Sequence, residues 1–247
     1  MIEEPYRWLE AIENRREYVR EQIKEGSPAF AVSLTDGILL LGVGSGNSKV
    51  FEIFDRHALA ALGHPADIEK IRQTAIDSVH MEAFTRAPED VALRRLTSFV
   101  LGPQLKTAFE QIFGAPYLVE LLLVEVGSAP ENDILARLHY DGGFEWLSQR
   151  VAIVAGNPEN EKPAKDWLRE RIPANTNRRD AVEIMLQAWW LLTENKPFSE
   201  ENGPQNEELR DGWRDKVNGR TVEIGWLSRS DKRRSRFEQL GLPQLGL

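Results

Sequence analysis

AFAVSLTDGILLLGV, residues 29–43, consists of two short apolar runs on either side of a Thr-Asp-Gly turn. Both runs have the length of a strand, and Asp-Gly between them is typical of a β-hairpin. Neither run alternates apolar with polar residues, which an antiparallel hairpin tolerates only when both of its faces are covered. The stretch therefore predicts a hairpin buried inside a domain of several layers.

The rest of the chain contains the predicted strands and helices that would form these layers. Paired strands are predicted at KVFEIF with ALAALG, at 117–127 with 134–140, at FEWL with RVAIVAG, and at TVEIGWLS. Helical periodicity covers residues 7–25, about 64–84, about 91–113, and two segments after Pro158. Asp67 and Asn177 are the predicted N-caps, and Pro103 is predicted to bend its helix or start the second half.

Grouped hairpins and paired helices indicate antiparallel sheets with helices outside, rather than a parallel doubly wound sheet. The predicted fold class is α+β, a four-layer αββα sandwich, with residues 1–247 forming one domain. Residues 195–219 are rich in Pro, Gly, Asn and Glu and are predicted to be a long surface loop.

Composition narrows the possible functions. The 247 residues include no cysteine, which excludes disulfides, cysteine-ligated zinc and thiol catalysis. A net charge of -8 disfavours nucleic acid, and the basic run at 229–236 is interpreted as a solvated turn or subunit contact. No apolar run approaches the length of a membrane span and the N-terminus is acidic, so we expect a cytoplasmic protein. The spacing of the histidines predicts no metal site, and no cofactor is expected. These histidines are His57, His64, His80 and His139.

Several blocks resemble, in order and spacing, the α-type subunit of the bacterial, actinobacterial-type proteasome core particle. They are KEGSPAFAVSLTDGILLLGV, KVFEIFDRHALAALGHPADI, PYLVELLLVEV, LHYDGG, RVAIVAG and TVEIGWLSRSDKRRSRF. The resemblance covers nearly the whole chain and implies the fold of proteasome subunits and other N-terminal nucleophile hydrolases. It also implies a non-catalytic subunit of a heptameric ring. Such a ring stacks on a ring of catalytic β-type subunits, gates substrate entry and docks an AAA+ ATPase unfoldase for protein degradation.

Ser27 raises an alternative, because it aligns with the N-terminal threonine that β-type subunits expose by self-processing. Lys49 aligns with their lysine, yet the segment between Asp36 and Lys49 offers no acidic partner, and Pro28 follows the serine. A serine without an activated base is a weak nucleophile. The sequence therefore favours no catalytic residue, with a self-processing hydrolase acting through Ser27 as the rival. A third hypothesis is a diverged homologue that assembles without a protease partner.

The resemblance also implies two sites. A pocket for the carboxylate end of an ATPase tail is implied at Lys49, Gly26 and His64, although this chain has histidine where the family usually has leucine or lysine. An ordinary ion pair of Lys49 with Glu52 or Asp55 is the alternative. The gate is implied at the residues before the first helix, with a reverse turn at Pro5 and Tyr6. The gate residues are Met1, Ile2, Glu3, Glu4, Pro5 and Tyr6. Trp8 and Ile12 are expected to pack against ring neighbours, and Trp189 and Trp190 inside a core or subunit contact.

Overall fold

The computed structural model describes residues 5–111, 113–198, 207–230, 233 and 235–247. Ten strands and eight α-helices lie within those ranges. The strands are β1 (Ala29–Leu34), β2 (Gly37–Gly44), β3 (Val50–Phe54), β4 (His57–Gly63), β5 (Val119–Glu125), β6 (Ile134–Leu138), β7 (Phe144–Leu147), β8 (Val151–Val154), β9 (Thr221–Ser228) and β10 (Phe237–Leu240). The helices are α1 (Pro5–Ile23), α2 (Pro65–Thr85), α3 (Leu93–Arg95), α4 (Gly102–Glu110), α5 (Glu161–Arg171), α6 (Arg178–Thr193), α7 (Glu207–Val217) and α8 (Leu242–Leu245).

Two antiparallel sheets of five strands each form the centre of the molecule. Sheet 1 has the order β10-β9-β2-β1-β8 and sheet 2 the order β3-β4-β5-β6-β7. In the hairpin β1–β2, Leu34 pairs with Gly37. A Cβ at Gly37 would lie 2.1 Å from the carbonyl oxygen of Leu227, so the strand approaches β9 too closely for a side chain. The α+β sandwich predicted from the hairpin is confirmed.

The uninterrupted apolar strands are explained by three separate cores. Along β2, Leu39 and Leu41 face the core under α5 and α6, while Ile38 and Leu40 face the core between the sheets. The third core lies between sheet 2 and α2, α3 and α4. Because successive side chains of a strand point to opposite faces, a strand covered on both faces is apolar at every position.

The helix ends agree with the sequence in part. Asn177 caps α6 by accepting a hydrogen bond from the amide of Asp180 at 2.9 Å, and Pro103 stands in the first turn of α4, as predicted. The N-cap of α2, however, is His64, whose Nδ1 accepts from the amide of Ala66. The Asp67 carboxylate accepts instead from the amide of Leu118 at 2.9 Å, so the predicted cap at Asp67 is wrong. A π-helical segment at Leu96–Leu101 was not foreseen.

The predicted long loop at 195–219 is also wrong, because it contains α7. Leu209 and Trp213 are buried four residues apart on one face of that helix, against α6. Gly212 lets the helices approach, since a Cβ there would lie 2.7 Å from the Trp190 ring. Residues 199–206 of the segment fall outside the described ranges.

The basic run at 229–236 starts with a buried charge rather than a solvated one. Arg229 pairs with both carboxylate oxygens of Asp133, and the two side chains are 10% and 2% exposed. The guanidinium also donates to three carbonyl oxygens, those of Leu34, Thr35 and Gly127. Arg229 follows β9 of sheet 1 and Asp133 precedes β6 of sheet 2, so this pair joins the two sheets. Residues 231, 232 and 234 of the run lie outside the described ranges.

None of the described helices is both long enough and apolar enough to cross a membrane.

Candidate functional site

Ser27 lies on a short connection between α1 and β1. Its hydroxyl oxygen accepts a hydrogen bond from the indole Nε1 of Trp189 at 2.9 Å, and its carbonyl oxygen accepts one from Lys49 Nζ at 3.1 Å. Just before it, Gly26 donates its amide hydrogen to the carbonyl of Ile23 at 2.8 Å, and a Cβ at Gly26 would lie 2.8 Å from the Leu62 side chain. Helix end, lysine and tryptophan together fix the position of this serine.

The segment that precedes Ser27 is part of the folded core. Val19 and Ile23 of α1 are buried at 0% and 6% exposure in the core between the two sheets. Gly156, just after β8, approaches the end of this segment so closely that a Cβ would lie 2.0 Å from the carbonyl oxygen of Lys24. Removing residues before Ser27 would therefore expose apolar surface that the fold covers.

Lys49 is half-buried at the start of β3. Burial lowers the pKa of its ammonium to about 8, and the negative charge of Glu223 opposes part of that shift. The Glu223 carboxylate belongs to β9, is itself buried, and accepts from the amides of Lys49 at 2.7 Å and Val50 at 2.8 Å. The sequence indicated no acidic partner between Asp36 and Lys49. The structure supplies one from 174 residues further along the chain.

The structure does not show the ion pair of Lys49 with Glu52 or Asp55 that was the alternative interpretation. Its ammonium donates to the Ser27 carbonyl, and Glu223 is the carboxylate that acts on its pKa. Glu52 accepts instead from the hydroxyl of Ser235 at 2.6 Å. The ion pair of Lys49 with Glu52 or Asp55 is thus replaced by contacts with Ser27 and Glu223.

The predicted pocket residues border two different depressions. Gly26 and Ser27 line a cavity of about 320 Å³ that Asn157, Asn195 and Arg220 complete, here called the Ser27 cavity. His64 lines a wider groove of about 790 Å³ beside Tyr18 and Lys70. Lys49 reaches the Ser27 cavity indirectly, through its hydrogen bond to the Ser27 carbonyl. Gly26 and Lys49 are therefore brought together at Ser27, whereas His64 lines a separate groove.

Comparison with known proteins gives consistent relatives. A proteasome subunit alpha of Streptomyces coelicolor is 31% identical over 181 residues, covering 72% of this chain and 69% of the relative. The chain belongs to the proteasome α-subunit family. The proteasome subunit alpha of Actinosynnema mirum is 33% identical over 178 residues, which are 70% of this chain and 66% of the relative. That of Streptomyces scabiei is 28% identical over 233 residues, covering 94% and 85%. No family model matches the chain.

In this member of the proteasome α-subunit family, the structure describes two of the six residues expected to form the gate, Pro5 and Tyr6. Met1, Ile2, Glu3 and Glu4 lie outside the described ranges. Pro5 and Tyr6 begin the helix instead of forming a reverse turn, so that prediction is wrong. A proline is well suited to the first helical turn, because its missing N–H would have no intrahelical partner there.

Glu223 and Arg220 are residues of this site that the sequence did not reveal. Both come from the region of β9, more than 170 positions beyond Lys49 in the chain, and neither belongs to a local motif. Trp189 was expected to pack in a core. Its ring is buried there, and its Nε1 also makes the hydrogen bond to Ser27.

Proposed function

We propose that this chain is the non-catalytic α-type subunit of a proteasome core particle. Seven copies form an outer ring that stacks on a ring of β-type catalytic subunits in the cytoplasm. The ring admits unfolded substrates to the proteolytic chamber, and an AAA+ ATPase unfoldase docks on it. The observation that carries the proposal is the folded state of α1, whose Val19 and Ile23 are buried in the core shortly before Ser27.

A catalytic N-terminal residue needs a free amine as its base, and Ser27 is the twenty-seventh residue of a chain whose preceding helix is packed. Val19 and Ile23 anchor that helix between the sheets. The Ser27 hydroxyl already accepts from Trp189, and Lys49 is directed at the carbonyl oxygen of the serine. These contacts support a structural role for the serine.

A self-processing hydrolase is the second candidate, and one observation favours it. The pKa of Lys49, lowered to about 8 by burial, would leave part of the amine neutral at physiological pH, as a catalytic lysine requires. The packing of α1 opposes this candidate. The two functions differ in chain mass, since a processed enzyme would begin at Ser27.

Self-assembly is supported by the outer part of α1. Trp8 and Leu9 are 43% and 59% exposed, whereas Val19 and Ile23 further along the helix are buried. Large apolar side chains left open to solvent on one stretch of a helix are typical of surfaces that contact another subunit. We assign this stretch to contacts between neighbouring copies in the ring.

The gate is assigned to residues 1–6. Deleting them should raise the rate at which the assembled particle hydrolyses a fluorogenic peptide, because a shorter segment obstructs the pore less. The control is Glu3→Gln with Glu4→Gln, which keeps the length of the segment. An unchanged rate after the deletion would remove the gate from these residues.

Docking of the ATPase is assigned to Gly26, Lys49 and His64, the residues that the family resemblance implies. Gly26 lines the Ser27 cavity and Lys49 donates to the Ser27 carbonyl, which supports a shared role for these two residues. His64 lines a separate groove.

Native mass spectrometry of the chain, alone and mixed with a β-type subunit, tests the whole proposal. We expect full-length chains of 28.1 kDa in sevenfold rings, with peptidase activity only when the β-type subunit is present. Chains trimmed to Ser27 with activity of their own would establish the hydrolase instead. Rings that never combine with a β-type subunit would favour a diverged self-assembling homologue.

A further inference from the structure

A group of ionisable side chains lies at one end of the core between the two sheets. Its members, here called the His139 cluster, are Glu120, Arg137, His139, Glu145 and Glu161. Arg137 of β6 is opposite Leu122 of β5, and Leu122 lies in that core, so the side chains of this face point between the sheets. Glu161 begins α5, which follows β8, and reaches the cluster from the side of sheet 1.

The buried part of the cluster is a guanidinium between two carboxylates. Arg137 Nε lies 3.0 Å from the Glu120 carboxylate, and its Nη1 contacts the Glu161 carboxylate. The side chains of Glu120 and Glu161 are 4% and 6% exposed. Glu161 also accepts from the amide of Ala155 at 2.9 Å, so these charges are fixed by the fold.

His139 lies between two carboxylates of its own. Its Nδ1 is 3.1 Å from a Glu120 oxygen, and its Nε2 is 3.3 Å from a Glu145 oxygen. An ionised carboxylate only accepts hydrogen bonds, and a neutral imidazole carries a single N–H. Only the imidazolium can therefore donate to both carboxylates, and the observed arrangement is that of protonated His139.

The charges that face His139 favour this proton. The hydrogen bond to Glu120 raises the pKa of His139, while burial and the positive charge of Arg137 act against that rise. Glu145, on β7, favours the charged ring as well. The cluster contains three carboxylates and one guanidinium, with the Lys165 ammonium 3.9 Å from Glu161. Loss of the proton would leave an excess of negative charge.

The residues that follow His139 support α1. Tyr140 lies in the core between the sheets together with Val19 of α1, and its ring is 5.6 Å from that of Phe109. The Asp141 carboxylate is 3.7 Å from the guanidinium of Arg16, which also lies over the Phe109 ring. On the same helix, the charge of Arg20 acts on Tyr140. Helix α1 thus rests on the two residues next to the histidine.

The turn after β6 is tightly packed, so it follows any movement of His139. The amide of His139 donates to the carbonyl of Gly143 at 2.8 Å, and the amide of Gly142 donates to the carbonyl of His139 at 2.9 Å. A Cβ at Gly142, whose φ is +83°, would lie 2.4 Å from the carbonyl oxygen of Gly102. The turn therefore has little free space against the start of α4.

We propose that His139 is a pH-sensitive switch for the attachment of α1. The protonated ring joins Glu120 of β5 to Glu145 of β7 and fixes the turn at 139–143. Loss of the proton releases Glu145, and the turn and the first half of α1 loosen. The attached state is complete at low pH and is lost as pH rises through the raised pKa of the histidine. This device goes beyond the proposed function, because it acts within a single subunit.

Hydrogen–deuterium exchange with mass spectrometry tests the switch on the full-length chain. Protection is compared between about pH 6 and about pH 9, after correction for the intrinsic exchange rate at each pH. Protection of peptides from α1 and from 139–147 should fall by at least about threefold over this range. Peptides from α6, which does not contribute to the His139 cluster, should keep their protection and serve as the internal control.

Substitutions at His139 separate its charge from its shape. His139→Gln carries no charge and should give the low protection of α1 at every pH. His139→Arg carries a permanent charge with donors for both carboxylates, so protection should stay high at every pH. Glu145→Gln changes a side chain that is 60% exposed and should reduce the pH dependence without disturbing the fold. His80→Gln is the matched control, because His80 is an exposed histidine of α2 and should leave the wild-type response intact.

Three results would overturn the proposal. They are constant protection of α1 in the wild-type chain, an unchanged fall in both His139→Gln and His139→Arg, or a loss of protection in α6 equal to that in α1, which would indicate a change in global stability. The exchange measurement needs no β-type subunit. Failure of the wild-type chain to assemble with β-type subunits in native mass spectrometry would therefore count against the proposed function alone.

Discussion

Replacing Asp133 by asparagine should cause a large loss of stability. The substitution keeps the shape of the side chain but leaves the Arg229 guanidinium buried without its counter-charge, at 10% exposure. It also weakens two further bonds to the carboxylate, from the Ser33 hydroxyl at 2.6 Å and from the Gly127 amide at 2.8 Å. Removing one partner of a buried, hydrogen-bonded pair typically costs about 3–5 kcal/mol.

Urea denaturation followed by tryptophan fluorescence measures this cost. With a slope of about 3 kcal/mol/M for a chain of this size, the midpoint of Asp133→Asn should fall by about 1 M or more. The control is Asp166→Asn, which breaks a surface pair with Arg169 at 2.9 Å, each side chain being 44% exposed. Such pairs contribute about 0–1 kcal/mol.

A double variant, Asp133→Leu with Arg229→Met, separates the uncompensated charge from the loss of the contacts. It should be less damaging than Asp133→Asn alone, because no charge is left buried. If Asp133→Asn shifts the midpoint no more than Asp166→Asn does, the pair does not hold the sheets together and the reasoning is refuted.

Three further predictions concern other parts of the fold. Burial lowers the pKa of Lys49 from 10.5 to about 8, so between these pH values the unfolded chain takes up a proton that the folded chain lacks. The free energy of unfolding should therefore rise with pH across this range, by at most about 3 kcal/mol. Urea titrations of Lys49→Met should lack that rise. The hydrogen bond to Glu120 raises the pKa of His139 above 6.5, so its stabilising contribution should be complete below pH 6.5 and disappear as pH rises through the higher value; thermal unfolding of His139→Gln should show no such dependence. Trp213→Ala should cost about 3 kcal/mol or more and expose α7 to limited proteolysis, whereas wild-type-like cleavage would show that α7 does not depend on this ring.

The central hairpin could be predicted because its information is local. The strand at 38–43 is apolar throughout and follows Asp-Gly, and a pattern of that kind has few other solutions than a strand covered on both faces. The caps show the limit of local reasoning. The cap at Asn177 was predicted correctly. The Asp67 carboxylate instead accepts from the amide of Leu118, which is 51 residues away in the chain and cannot be read from the local pattern.

Helix α7 was missed because its apolar face consists of only two strongly buried residues among charged neighbours. Leu209 and Trp213 have helical spacing, yet the Gly, Asn and Pro content nearby favours a loop. The burial of the helix depends on its contact with α6, and local helix propensity carries no information about such a tertiary contact.

The resemblance placed Lys49, Gly26 and His64 in one pocket, and that pocket stays a prediction. Gly26 and Lys49 meet at Ser27, whereas His64 lines a separate groove. Glu223, Arg220 and the Arg229–Asp133 pair come from distant parts of the chain, so only the folded chain shows which charges meet.

The two sheets are joined by carboxylates at both ends of β9, and this limits how the subunit can move. At one end Asp133, just before β6 of sheet 2, pairs with Arg229, and at the other Glu223 of sheet 1 accepts from the amides of Lys49 and Val50 at the start of β3 in sheet 2. Sliding one sheet along the other would break both sets of bonds at once. We therefore expect a change of shape on binding a partner to be a rotation of the whole subunit or a shift of its outer helices, rather than a sliding of the sheets.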